Sequence, residues 1–467
     1  MFIFRGWGDN CLSTHMNMNA NRFHSSFSAL SILGAGMMVV MCTQCVQKSK
    51  DDASQTDSTA VTTPVAEPTV QLPEPSKPKN KFSNIIGWSD GQMPQVPAGF
   101  VVTEYAGNLK SPRWAYQLPN GDVLIVESNT ETKGAKRVQE QVSGKIKSRS
   151  DDGLSANRIT LLRDNNKDGK PDMRETFLSG LNQPFGVVLI KNDLYVANTD
   201  GVYKFPYNEG DTKITAKGQK ILELPAGGYN NHWTRNLLTN ADGSKIYISV
   251  GSGSNVAEHG MENEVRRANI LQINPDGTGE KIFASGLRNP VGMDWEPRTK
   301  QLWTAVNERD ELGDELVPDY LAHVKEGAFY GWPFAYWGAH EDPRMAGKNP
   351  ELVKKTVVPD VDLGSHTASL GLAFYKGDKF PEAYRQGAFI GQHGSWNRSE
   401  LVGYKVVFVP FKNGKPAGKP QDFLTGFIAN PESGEVYGRP VGTFILKDGS
   451  MLVTDDGGGK VWRVAAK

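Results

Sequence analysis

Cysteine is nearly absent, with three in 467 residues, Cys11, Cys42 and Cys45, all ahead of residue 46. That excludes a disulfide framework and thiol chemistry from everything downstream. No C-x-x-C-H run occurs, so a covalently attached haem is excluded as well. An excess of either charge is also lacking, because 52 Lys and Arg balance 52 Asp and Glu. No strong field for nucleic acid or an anionic surface follows. The apolar run FSALSILGAGMMVVM (27–41) is too short for a comfortable membrane span and follows Arg22 and His24, which reads as an export signal.

Cys42 or Cys45 closes that run, as bacterial lipoprotein processing requires, although Met41 is not the usual small residue before the cysteine. A zinc or redox pair is the competing reading, but no second Cys/His pair sits nearby. The expectation is therefore an exported protein, periplasmic or at the cell surface, tethered by lipid. Residues 1–45 form the signal, 46–81 a Ser/Thr/Pro-rich tether too poor in apolar surface to fold, and 82–467 the folded domain.

What is abundant is glycine and proline, 50 and 27 residues respectively, which favours many short strands and turns. Six segments share one plan of apolar strand, turn, apolar strand and polar cluster. They begin at Pro112, Pro184, Arg235, Pro290, Leu370 and Pro440, and most turn through PNGD, KND, ADGS or KDGS. The prediction is an all-β, six-bladed propeller closed by pairing GKVWRVAAK at the C-terminus with FVVTEYAG from Phe100. A β-sandwich does not explain why every second strand ends in the same kind of polar cluster. Chemistry is then expected where those strands finish on one rim.

The His in NNHWTRNLL, the segment SGLRNPVGMDW, the acidic loop leading to GAFYGWP, and GRPVGTFILKDGSMLVTDD together resemble the glucose/sorbosone dehydrogenase family over about residues 95 to 467. The resemblance implies a soluble quinoprotein using pyrroloquinoline quinone (PQQ) and calcium to oxidise an aldose or related aldehyde, passing electrons to an external acceptor. It implies His232 as the base, with Arg288 stabilising charge on the quinone oxygen. It also implies cofactor contacts from Arg288, Asn289 and Arg439, with Lys376 and Arg398 as further cations. Main-chain carbonyls of Arg309 and Asp310 would hold calcium, with Glu308, Asp314 and Glu315 as added oxygen donors. Where such dehydrogenases carry an Asp that orients the base, this chain reads GSGSN, with Ser252 in about that place.

Asp164, Asn166, Asp168, Gly169 and Glu175 separately fit the spacing of a calcium loop, set between strands instead of helices. Calcium held for stability and a plain Asn/Asp/Gly turn are both consistent with it. Polar clusters at Ser365–Thr367 and Gln392–Arg398 suit a sugar site or a joint between sheets. A glycan- or protein-binding propeller and a calcium-dependent hydrolase are the alternative functions.

Overall fold

The computed structural model describes residues 71–131, 134–150 and 154–467. The signal-like run, Cys42 and Cys45 lie outside the described residues.

The most apolar runs of the chain, VLIVE, IYISV, LWTAV and MLVTD, are strands buried at every position. A strand can be apolar on both faces only where its sheet is covered on both faces, and the topology supplies that cover. Six sheets of the same antiparallel kind follow one another. Their leading strands are Pro112–Gln117, Val187–Ile190, Leu237–Thr239, Pro290–Trp295, Ser369–Phe374 and Pro440–Ile445. The fourth strands are the most exposed, as in Met173–Leu178 and Lys281–Ser285.

Each leading strand packs beside the leading strand of its neighbour, from the second sheet through to the sixth and from the sixth to the first. Trp114 against Phe185 at 5.2 Å, and the Tyr116 hydroxyl accepting from Leu189 N at 3.1 Å, join the first sheet to the second. Trp114, Val187, Val291, Leu370 and Val441, from five different sheets, share one buried cluster. The approach is close enough to require glycine: a Cβ on Gly292 would come within 3.0 Å of Leu372 N, and one on Gly371 would meet Val441 O and Thr443 N.

The sixth sheet contains both ends of the domain. Phe100–Ala106 pairs antiparallel with Lys460–Ala466, with Val102 opposite Val464, which is the pairing expected from FVVTEYAG and GKVWRVAAK. Residues 71–81, placed in the tether by composition, are instead laid along the fold. Leu72 packs beside the cluster around Leu312 and Tyr320, Ser76 N donates to Leu312 O at 2.8 Å, and Lys81 N donates to Trp396 O at 2.9 Å. Between the second and third strands of the first sheet, the chain makes a helix, Gly134–Val142, and a 3-10 turn, Lys145–Ser148.

Candidate functional site

Leading strands start, and second strands finish, at the same end of every sheet, so the residues flanking them converge. There they line a cavity of about 460 Å³. Arg113, Leu370 and Arg439 come from strand starts, and Asn129, Asn307, His393 and Asp456 from just past the second strands. Lys145, Ser148, Arg149 and Ser150 come from the insertion of the first sheet.

His232 lines this cavity and is held by Ser252. Its Nδ1 lies 3.0 Å from Ser252 O and 2.9 Å from Ser252 Oγ, while that hydroxyl donates to Ser254 O at 2.6 Å. Both atoms therefore accept from the ring, which places the proton on Nδ1 and a lone pair on Nε2. Burial, then the charge of Arg288, press the imidazole pKa down to about 3. Ser252 thus fixes the tautomer of His232 without supplying a negative charge.

Arg288 also lines the cavity, but its donors are committed. Nε donates to Asn255 O at 3.2 Å, Nη1 to Asn307 O at 3.3 Å and Glu308 O at 2.5 Å, and Nη2 to Asn255 Oδ1 at 2.8 Å and Asp310 Oδ2 at 3.1 Å. Asp310 in turn lies 3.3 Å from His366 Nδ1, whose Nε2 donates to Gly313 O at 2.8 Å. Burial is the largest effect and opposes both charges, but the His366–Asp310 hydrogen bond and attraction, with Arg288 beside the carboxylate and Gly313 O on the ring, together outweigh it, so the imidazole is raised and the carboxylate lowered. Glu308, buried nearby, is pushed up to about 7 by loss of solvent. Arg288 and Asp310 face the cavity as an ion pair, with His366 behind the carboxylate.

A second polar group stands on the wall formed by the first, fifth and sixth sheets. Asp456 Oδ2 pairs with Arg113 at 2.8 Å, and Asp456 Oδ1 lies 2.8 Å from His393 Nε2. Arg439 donates to His393 O at 3.1 Å and to Ser148 O at 2.8 Å. Burial raises the Asp456 carboxyl, but Arg113 and His393 overcome that and hold it far below its usual range. Lys145 lies 4.4 Å from the Trp396 ring at the same wall.

Several expected site residues lie elsewhere. Asn289 is buried beside the cavity, where its Oδ1 and the His232 Cβ bound the space a Cβ on Gly251 would fill; that oxygen has no hydrogen-bond partner. Lys376 is at the opposite end of its sheet, paired with Asp294 at 2.5 Å in a separate, largely apolar cavity. It is not a cation of the His232 cavity. Arg398 is turned onto the acidic loop, donating to Asp314 O and to Glu315 Oε1 at 2.6 Å, so the fifth sheet contributes His393 in its stead. The Arg309 side chain pairs with Asp342 at 3.1 Å, away from the cavity, and the Asp310 carbonyl accepts from Asn255 Nδ2 at 3.2 Å.

The Asp164 loop lies at the far end of the first sheet. Asp164 accepts from Asp168 N at 3.2 Å and Gly169 N at 2.8 Å, Asn166 accepts from Asp168 N at 3.1 Å, and Asp168 accepts from Lys170 N at 2.8 Å. Glu175 is exposed within its strand, opposite Leu161. The loop is an Asx-turn network satisfied by its own backbone. Among the described residues no set of three or more His, Cys, Asp or Glu converges as a metal site.

Sequence reading passed over Arg113, Asn255 and Asp456. Arg113 follows the Pro that opens the first hairpin and Asp456 follows the last buried strand, so their positions in the repeat were the available signal. Asn255, which makes four of the bonds around Arg288 and Asp310, ends the same GSGSN run that supplied Ser252.

A family model described as "Domain of unknown function (DUF7133)" matches residues 95–424. An uncharacterized protein of Borreliella burgdorferi is 31% identical over 300 residues, 62% of this chain and 77% of its own length. The aldose sugar dehydrogenase YliI of Escherichia coli is 34% identical over 194 residues, covering 38% of this chain and 50% of that protein. Among solved structures, the holo form of the pyranose dehydrogenase PQQ domain from Coprinopsis cinerea superposes with a TM-score of 0.64 at 19% identity, over 82% of this chain and 100% of that one. The chain therefore belongs to the family of the domain of unknown function DUF7133, and its structural neighbours are the soluble PQQ-dependent glucose and aldose sugar dehydrogenases.

Proposed function

We propose that the six sheets are the blades of a propeller whose axial cavity binds PQQ and oxidises an aldose sugar or a related aldehyde. The observation that carries the proposal is His232: a neutral imidazole with its proton fixed on Nδ1 and its Nε2 lone pair left on the wall of a cavity rich in cations.

The residues present suit this cofactor. Its three carboxylates call for several cations; Arg113, Lys145, Arg149, Arg288 and Arg439 line the cavity beside Glu258, Asp310, Glu311 and Asp456, with Arg113, Arg149 and Arg288 already in ion pairs. Arg113 Nε and Asn289 Oδ1 are buried polar atoms without hydrogen-bond partners in or beside that cavity, and a bound ligand would give them partners. When bound, the quinone accepts the two electrons and the hydrogen that leave the sugar carbon. His232 Nε2 takes the hydroxyl proton, Ser252 keeps the ring aligned, and Arg288 contributes charge.

For calcium, the side chains at the acidic loop are otherwise engaged, which leaves only the main-chain carbonyls of Arg309 and Asp310 as donors. Asp310 has its carboxylate taken by Arg288 and His366, and the Arg309 side chain faces Asp342. Export and lipid attachment at Cys42 or Cys45 complete the proposal, supported by the sequence of the first 45 residues, and the electron acceptor is then a separate molecule.

Adding PQQ to the purified protein, followed by a panel of sugars, tests the reading by absorbance. Saturable binding followed by bleaching of the quinone is expected. PQQ that does not bind, or that binds and is reduced by no sugar or aldehyde, would shift the assignment to a binding protein.

A further inference from the structure

The carboxylate-oriented histidine of this cavity is His393, not His232. Asp456 is an ionised carboxylate gripped on its other oxygen by Arg113, so it can only accept, and His393 Nε2 must carry the proton of the 2.8 Å contact. The backbone N–H of His393 donates to Ala368 O at 2.9 Å, and its carbonyl accepts from Arg439 Nε. Both main-chain groups and one ring nitrogen are thereby fixed. The remaining atom, Nδ1, has no partner among the described residues, and its ring is one of the cavity walls.

The charges around the ring come from three elements. Arg113 belongs to the first strand of the first sheet, Arg439 to the start of the sixth sheet's leading strand, and Asp456 to the turn after the sixth sheet's second strand. Burial, then the charge of Arg439 with a smaller part from Arg113, outweigh the charge and hydrogen bond of Asp456 and keep the free protein's imidazole neutral, its pKa near 3. An anion entering the cavity reverses that balance. It offsets the positive charge of Arg439 and Arg113 and offers Nδ1 an acceptor, so that the ring gains by taking a proton and bridging Asp456 Oδ1 to the anion.

We propose that His393 is an anion-binding residue of the cavity, a neutral ring in the free protein that takes up one proton when an anion binds and then donates from Nδ1 to it. The ligand class is an oxyanion or carboxylate. The inference shares with the proposed function only the premise that anions enter this cavity, and it makes no use of quinone chemistry. Its consequence is that anions bind more tightly as pH falls, by about threefold per pH unit where half a proton is taken up.

Titration calorimetry at pH 5.5, in two buffers of unequal ionisation heat, measures that proton directly. Sodium sulfate serves as one probe because it does not itself titrate there, and PQQ as the other. About half a proton or more taken up per sulfate is expected in wild type, and none in His393→Gln or His393→Asn. His232→Gln, which removes the other neutral ring of the wall, should retain the uptake. Sulfate binding with uptake but no PQQ binding would leave this inference standing and remove the proposed cofactor. Binding of either anion without proton uptake in wild type overturns it, and so does uptake that disappears with His232 or persists without His393. Failure of both anions to bind overturns it too. Should neither His393 variant fold, the wild-type and His232→Gln measurements still decide.

Discussion

His232 Nδ1 is 2.9 Å from the Ser252 hydroxyl oxygen and 3.0 Å from the Ser252 carbonyl oxygen. The hydroxyl has already given its hydrogen to Ser254 O. A serine in this arrangement orders the imidazole as an aspartate would, but it leaves the ring's basicity to burial and Arg288. The position therefore separates two functions, alignment and charge, that a carboxylate would combine.

The first prediction follows from that separation. With its pKa near 3, His232 stays unprotonated throughout the neutral range. Reduction of bound PQQ by sugar should show no inflection near 6.5, the ordinary histidine value. His232→Gln should lower the rate on the order of a hundredfold while PQQ still binds. Ser252→Asp should favour the imidazolium and move the acid limb to higher pH. Stopped-flow bleaching across pH measures all three. Near-normal rates in His232→Gln, with the quinone bound, would remove the base from the mechanism.

The second prediction separates the cations that face the cavity from those that do not. Arg439 reaches it, whereas Lys376 pairs with Asp294 at the other end of the sheet and Arg398 with Glu315. Arg439→Gln should weaken PQQ binding by about tenfold or more, and Lys376→Gln and Arg398→Gln should leave the dissociation constant within about twofold. Equal losses in all three variants would mean that long-range field, not contact, holds the ligand.

The contrast between Arg439 and Lys376 also shows where sequence reasoning carried and where it stopped. Hairpins were legible because apolar runs such as MLVTD meet turn residues at fixed offsets, and the closing strand pair was legible from its own apolar pattern. His232, Arg288 and Arg439 were legible because each sits at a repeat corner in a recognisable run. Arg113 and Asp456 meet only because ring closure brings the first sheet beside the sixth, a contact that no local window contains. Lys376 was misplaced because it follows the end of a leading strand, at the opposite rim from the strand's start. The calcium-loop spacing was real, but spacing does not show that Glu175 is held within its strand while the Asp and Asn side chains turn onto nearby amides.

That loop supplies the third prediction. Asp164 accepts from two backbone N–H groups in an exposed turn, and each such bond contributes about 1 kcal/mol. Asp164→Ala should therefore destabilise the domain by about 1–2 kcal/mol. Added calcium should shift the melting temperature of the wild type and of this variant equally. A calcium-dependent stabilisation of wild type that Asp164→Ala abolishes would restore the metal-loop reading.

The fourth prediction concerns the approach of the leading strands, on which the cavity's position depends. A Cβ on Gly371 would stand under 3.0 Å from Val441 O and Thr443 N, atoms of the adjoining sheet's backbone, with no flexible side chain able to give way. Gly371→Ala should therefore force the fifth and sixth sheets apart, at a cost of about 1–3 kcal/mol and toward the upper end of that range. Gly227, where a Cβ would meet nothing within 4 Å, is the control, and Gly227→Ala should stay within about 0.5 kcal/mol of wild type. His393 and Arg439 flank the same joint from the fifth and sixth sheets, so the strain should reach the cavity. Gly371→Ala should thus weaken PQQ binding as well as lower the urea midpoint, whereas a defect confined to packing would lower the midpoint alone. If Gly371→Ala is as stable as Gly227→Ala, the leading strands have room that this packing denies them, and the close approach of the sheets cannot be what fixes the cavity wall.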